Sequence, residues 1–279
     1  MESILILSCP DQAGIQAKVT SLLYKNNCFI TDVDSFSDGD SKRFFSRITF
    51  QSRNLRKVKS EFILLKDELN LTYFFKNPNK KIRVGILVSK DGHCLNDLIY
   101  RSLHRYLKID IRTVISNHKV TGNLVRQNKI PFKYIDTNIN NKEIIENNIN
   151  KVLSEHKVEL VILARYMQIM SEKFVNKWAG KCINIHHSFL PSFKGAKPYH
   201  QAYSKGVKMI GATAHYVTKD LDEGQIIEQG IEEISHKNSV ADLISKGNDI
   251  ESRVLSRAIK YHSEHRVFIN DNKTIVFRK

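Results

Sequence analysis

Apolar and polar positions follow two rhythms in this chain, and the change between them divides it. Residues 1–76 alternate short apolar runs with helical spacing. Ile4–Leu7 reads as a strand, and Ser8–Gly14 as a turn. Ile15, Val19, Leu22 and Leu23 then mark one face of a helix over Ile15–Asn26. Cys28–Phe36 predicts a second strand and Asp38-Gly39-Asp40 a hairpin turn. Arg43–Phe50 predicts a third strand, with Phe44, Ser46, Ile48 and Phe50 on one face. A second helix, Leu55–Leu69, buries Val58, Phe62, Leu65 and Leu69, and Asn70–Phe75 closes the set as a fourth strand. This β-α-β-β-α-β order is the ferredoxin-like split β-α-β arrangement. Asn77–Lys81, with a proline between two asparagines and then two lysines, reads as a linker.

From Ile82 the pattern changes. Ile82–Ser89 is almost continuously apolar, which suits a strand buried on both faces of a parallel sheet. Helical and strand patterns then alternate: helix Cys94–Tyr106, strand Ile109–Ile115, helix Val120–Asn128, strand Phe132–Ile135, helix Asn140–His156, strand Leu160–Ala164, helix Glu172–Trp178 and strand Lys181–His186. Such alternation predicts a Rossmann-like, mostly parallel sheet with right-handed crossovers. Two further strands, Lys208–Val217 and Gln225–Ile234, precede a long helix over Ser239–His265. A terminal hairpin pairs Val267–Ile269 with Thr274–Val276. The expected organisation is a domain over 1–76, a linker over 77–81 and a second domain over 82–279.

Composition narrows the function. An apolar share of 41% in 279 residues supports real cores. The net charge of +15 raises nucleic-acid binding, but Lys and Arg are scattered and no Gly/aromatic signature accompanies them; the expectation is a solvated basic surface that attracts an anionic substrate. No run approaches about 18 apolar residues, and the N-terminus lacks a basic stretch followed by a long apolar one, so neither membrane span nor signal peptide is expected. Cys9, Cys28, Cys94 and Cys182 lie far apart without a CxxC pair and read as reduced thiols of a cytoplasmic protein. His186, His187, His200 and His215 crowd one stretch, yet no HExxH spacing appears, so no metal is expected. GxSxG is missing, which argues against Ser188 as a nucleophile, and GxGxxG is missing, which argues against a dinucleotide.

The candidate chemistry lies in 182–229. Asn184 and His186 are two apart on a predicted strand and so share a face. Asp222 sits in the acidic turn Asp220–Gly224 between two other strands. An amide N–H beside an imidazole can hold a carbonyl oxygen that becomes negative during attack. A carboxylate close to that imidazole orients it and can hold a water. Together they form a site for acyl transfer or amide hydrolysis without a covalent nucleophile. Taken singly, the three are equally compatible with a turn cap, a core histidine and an ordinary turn residue.

The string Asn-Ile-His-His-Ser-Phe-Leu-Pro from Asn184, with Lys-Gly-Ala-Lys-Pro-Tyr-His-Gln-Ala-Tyr from Lys194 and His-Tyr-Val-Thr-Lys-Asp-Leu-Asp-Glu-Gly from His215, resembles the formyltransferase-fold family that handles 10-formyltetrahydrofolate. His187 stands where the glycinamide ribonucleotide transformylases carry proline, so the resemblance is to the hydrolysing branch. The N-terminal segment, with its Cys-Pro-Asp-Gln-Ala-Gly-Ile turn, resembles an ACT regulatory domain. The resemblance implies hydrolysis of 10-formyltetrahydrofolate, with that folate as substrate and no permanently bound cofactor. It implies catalytic roles for Asn184, His186 and Asp222. It implies substrate contacts from Met167, Gln168, Ile169 and Met170 as the wall of a pterin pocket, and from His187, Lys197, His215 and Thr218. For the ACT segment it implies a homo-oligomer, dimer or tetramer, and an amino-acid effector near Asp11, Gly14 and Ile15. The Ser89–His93 loop departs from the Gly/Ser/Asn pattern that grips a nucleotide phosphate in the transformylases, which favours water over a phosphorylated amine as acceptor. The rivals are a formyltransferase with an amine acceptor and a catalytically silent folate or amino-acid sensor.

Overall fold

The structure, a computed structural model, describes residues 1–137, 141–190 and 198–279. Its chain divides into two compact units. The first comprises Met1–Lys80, Glu264–Asn270 and Ile275–Lys279, and the second Lys81–Ser263 and Asp271–Thr274.

In the first unit the elements are β1 (Glu2–Pro10), α1 (Ile15–Lys25), β2 (Phe29–Asp38), β3 (Arg43–Gln51), α2 (Leu55–Leu69) and β4 (Thr72–Lys76). The sheet runs β2-β3-β1-β4, with β3 antiparallel to β1 and β2 and with β1 antiparallel to β4. This is the split β-α-β topology. Gly14 opens α1 in a left-handed conformation (φ 87°), which a residue without Cβ adopts freely. Asn54 caps α2 by accepting from the Lys57 N–H at 3.1 Å, a contribution of about 1 kcal/mol. Both helices cover one sheet face, where Leu5, Leu7, Ile48 and Phe50 meet Val19, Leu23, Val58 and Phe62.

The other face of β3 is covered as well. Phe45, Arg47 and Thr49 are also buried, because the end of the chain packs there. Phe268, in the terminal hairpin of β12 (Val267–Asn270) and β13 (Lys273–Val276), meets Phe45 edge-on at 5.6 Å. Arg47 Nε donates to the Glu264 carbonyl at 3.2 Å. Arg266 is buried against Asp34 (3.2 Å), Asp32 (3.7 Å) and Glu264 (3.1 Å). The hairpin that the sequence assigns to 82–279 therefore groups largely with the first unit.

The second unit holds β5 (Ile82–Val88), α3 (His93–Leu103), β6 (Ile109–Ser116), α4 (Gly122–Gln127), β7 (Phe132–Tyr134), α5 (Lys142–Glu155), β8 (Leu160–Leu163), α6 (Glu172–Lys177), β9 (Cys182–His186), α7 (Pro198–Ser204), β10 (Met209–Tyr216), β11 (Ile226–Glu233) and α8 (Val240–Ser263). Its seven strands run β11-β10-β9-β8-β5-β6-β7. Pairs from β9 to β7 are parallel, and β10 and β11 join antiparallel. The central strands are buried on both faces, as their unbroken apolar runs require. Helix α3 stops at Leu103, short of the expected Tyr106, as the chain turns through Arg105 in a left-handed conformation (φ 61°). The group of His93, Cys94 and Glu251 is the nearest approach to a metal-ligating set among the described residues, but Glu251 is engaged by protein partners described below. Among the described residues no helix is long and apolar enough to cross a membrane.

Candidate active site

Three strand ends and one tight turn converge in the second unit. β9 carries Asn184 and His186 on one face, by the period of two. Its neighbour β10 sets His215 opposite Asn184 and Thr213 opposite His186. Beyond β10 the chain turns back through Thr218–Gly224, closed by the Tyr216 N–H donating to the Gln225 carbonyl at 2.9 Å. Asp222 is left-handed there (φ 57°), a conformation aspartate tolerates better than most side chains. Gly224 is obligatory for the turn: a Cβ would lie 1.7 Å from the Tyr216 carbonyl oxygen. A bulge between β10 and β11 falls at Ala214/His215, beside the converging groups.

These constraints bring the three sequence-predicted groups together. His186 Nδ1 lies 3.2 Å from Asp222 Oδ2, and His215 Nε2 lies 3.6 Å from Asp222 Oδ1. His215 Nδ1 donates to the Tyr216 carbonyl at 2.8 Å, so its proton sits there and Nε2 is free to accept the Asn184 amide N–H at 3.2 Å. One N–H of Asn184 is thus held, and the amide is oriented from behind by a buried ring. Burial alone would raise the Asp222 carboxyl, but the His186 N–H that it accepts and the polar His186 and His215 rings beside it hold it well below its ordinary value. Asp222 is therefore an anion at neutral pH. His186 Nε2, across the ring from that carboxylate, is buried and has no hydrogen-bond partner among the described residues.

A second group of charges lies beside the first. The rings of His186 and His187 stack at 4.9 Å and 22°. Arg165, at the end of β8, donates from Nη1 to His187 Nδ1 at 2.6 Å and from Nη2 to Asp91 at 3.2 Å. Its Nε faces Glu251 at 3.4 Å. Glu251, wholly buried on α8, also takes His93 Nε2 at 2.8 Å and the Tyr199 hydroxyl at 2.6 Å. Burial would raise Glu251, but the bonds from His93 and the Arg165 charge pull it below the ordinary carboxylate value. Burial and the neighbouring guanidinium push His187 down to about 4. Thr213, wholly buried, donates to the Ser188 carbonyl at 3.0 Å and accepts from the Leu190 N–H at 3.1 Å, pinning the turn after the histidine pair.

The remaining candidates are placed as follows. Met167, Gln168 and Ile169 are exposed beyond β8, while Met170 is half-buried against the core. The Met167 N–H donates to Ser89 Oγ at 3.0 Å. Thr218, half-buried, donates to the Asp220 carbonyl at 3.2 Å. Lys197 lies outside the described residues. In the first unit Asp11 is exposed, its N–H donating to the Lys42 carbonyl at 2.8 Å, and the Ile15 side chain belongs to the core. Arg165, Glu251, His93, Tyr199 and Thr213 were not among the sequence-predicted groups. Glu251 had a readable signal: it falls on the i, i+4 stripe of Leu243, Gly247, Leu255 and Ile259, where a carboxylate needs a partner.

The arrangement, an anchored amide N–H, an imidazole with one nitrogen on a carboxylate and the other unpaired among the described residues, and an aspartate that is anionic at neutral pH, can polarise a carbonyl and move one proton between an attacking and a leaving atom. A family profile described as "Formyl transferase" matches residues 82–259. The chain is 42% identical over 278 residues to a formyltetrahydrofolate deformylase of Bacillus subtilis, covering 98% of this chain and 93% of that protein. It superposes on crystal structures of formyltetrahydrofolate deformylases from Burkholderia mallei (TM-score 0.94, 42% identity, 99% of each chain) and Pseudomonas putida (TM-score 0.94, 44% identity, 99% of this chain and 100% of that one).

Proposed function

The chain belongs to the formyltetrahydrofolate deformylases of the formyl transferase family, and on that premise we propose how its residues hydrolyse 10-formyltetrahydrofolate to formate and tetrahydrofolate. The observation that carries the residue roles is the division of labour on His186: Nδ1 faces the Asp222 anion and Nε2 is unpaired. The Asp222 carboxylate keeps the His186 proton on Nδ1, so Nε2 takes a proton from water as the water oxygen attacks the formyl carbon. The carbonyl oxygen, becoming negative, is met by the second N–H of Asn184. Nε2 then returns the proton to the departing folate nitrogen, the C–N bond breaks, and the formic acid released ionises to formate. One oxyanion donor contributes roughly 3–4 kcal/mol. His215, buried behind both groups, holds Asn184 in register.

In this reading the pterin lies against Met167, Gln168, Ile169 and Met170 and the turn at Thr218, with His187 and Lys197 at its margin. The first unit is an ACT domain, supported by its strand order and by the glycine-opened helix, with an amino-acid effector near Asp11, Gly14 and Ile15 and a role in homo-oligomer assembly. The enzyme is cytoplasmic, consistent with its free cysteines; it supplies formate for purine biosynthesis and balances the one-carbon folate pool.

The test incubates the purified protein with 10-formyltetrahydrofolate and no amine. Formate release at turnover rates is expected. No formate without an amine, and formylation of a ribonucleotide amine when one is added, would replace this reading with the transferase one.

A further inference from the structure

We propose that Arg165, locked by Glu251, is a positioning residue that fixes the His187 ring against His186 with its proton on Nε2, so that His186 alone of the stacked pair carries the travelling proton. The proposal rests on the deformylase reading of the same site.

The geometry leaves little choice of protonation. A guanidinium has donors only, so the 2.6 Å contact from Arg165 Nη1 requires a lone pair on His187 Nδ1. A doubly protonated His187 would set N–H against N–H. The neutral ring therefore holds its proton at Nε2. Arg165 cannot turn away to relieve this: its other nitrogens face Asp91 at 3.2 Å and Glu251 at 3.4 Å. Glu251 in turn is wholly buried and tied to His93 and Tyr199. Asp91, Arg165, Glu251, His93 and Tyr199 come from four separate segments, and the assembly ends on a ring that stacks on the proposed base. The charged and titratable groups facing His187 are Arg165 from β8, Glu251 from α8, His186 from its own strand and Asp222 from the turn after β10. Arg165 and His186 oppose charge on His187, as burial does, while the two carboxylates favour it. Two imidazolium rings stacked at 4.9 Å would repel, so a cationic His187 would lower the readiness of His186 to accept the proton of water.

The experiment follows the imidazole nitrogen resonances of histidine-labelled full-length protein through a pH titration, alongside the pH profile of kcat for formate release. In the wild type, His187 should show a lone pair on Nδ1 and a proton on Nε2 down to the acid edge of the titration. In Arg165→Met its midpoint should rise by roughly one pH unit, a tenfold change in proton affinity. The acid limb of kcat should rise with it, and adding His187→Asn should return the limb to its wild-type position. A simple packing defect would lower kcat without moving the limb. Should Arg165→Met not fold, Arg165→Lys keeps a cation beside Glu251 but lacks the planar fork, and a smaller displacement is expected. Unchanged His187 resonances, or a limb that stays displaced in the double variant, would overturn the proposal. The resonance arm needs no turnover, so a wild type that releases no formate would refute the activity while still deciding the tautomer.

Discussion

Replacing Asp222 with asparagine isolates the charge from the shape. The left-handed backbone at 222 accepts asparagine as readily as aspartate, so the turn keeps its path. The lost term is the attraction between a carboxylate oxygen and His186 Nδ1 at 3.2 Å. With an effective dielectric near 20, a full charge pair at that distance gains roughly 5 kcal/mol. Asp222 keeps some access to water, and only part of the attraction develops during proton transfer, so about 3–4 kcal/mol remains as the barrier increase. At 1.36 kcal/mol per decade this is a loss of about 10²–10³ in kcat. Asparagine also offers an N–H where His215 Nε2 already accepts from Asn184, which disturbs the oxyanion donor. The assay is acceptor-free formate release at saturating substrate, with circular dichroism to verify the fold. A loss smaller than about tenfold in a folded variant would remove Asp222 from the mechanism.

Asn184→Ala should lose about a hundredfold or more in kcat with little change in KM, read from the same assay. Gly224→Ala forces a Cβ onto the Tyr216 carbonyl and must open the turn; urea unfolding should show destabilisation on the order of 3 kcal/mol, together with lost activity. The Asp222 carboxyl is held below its ordinary 3.8 in the folded chain, so its contribution to stability is present above about pH 4 and is lost as pH falls through the folded value. The stability gap between wild type and Asp222→Asn should therefore be widest at neutral pH and narrow in acid, as urea unfolding across pH will show. Arg266→Met leaves Asp32, Asp34 and Glu264 facing one another and should cost about 2–3 kcal/mol, below the usual range for a broken buried pair because the two aspartates are partly solvated. Activity per folded molecule should be unaffected.

What the sequence revealed follows from how local each signal is. The two-residue spacing of Asn184 and His186 specifies a shared face whatever the tertiary structure, and Asp222 sits in a turn marked by its own acidic run and glycine. The centre of the seven-strand sheet was legible because its buried parallel strands, β5 and β8 above all, are almost continuously apolar. Arg165 was not, because its partners Asp91, His187 and Glu251 come from segments brought together only by folding. The second face of β3 was hidden for the same reason. Phe45, Arg47 and Thr49 alternate with the residues of the helix-covered face, and the partners that help bury them, Phe268 against Phe45 and the Glu264 carbonyl on Arg47, come more than 200 residues later.

That late cover has a consequence for biogenesis. A ribosome emits β3 long before it emits Phe268, so the nascent sheet waits with an aromatic ring and a guanidinium bare through synthesis of the whole intervening stretch. The first unit can be finished only after the segment that carries Arg266 and Phe268 has emerged. Premature termination near residue 263 would leave an adhesive, half-clad sheet on every product, a ready substrate for chaperones and proteases even though the entire proposed reaction centre had been made.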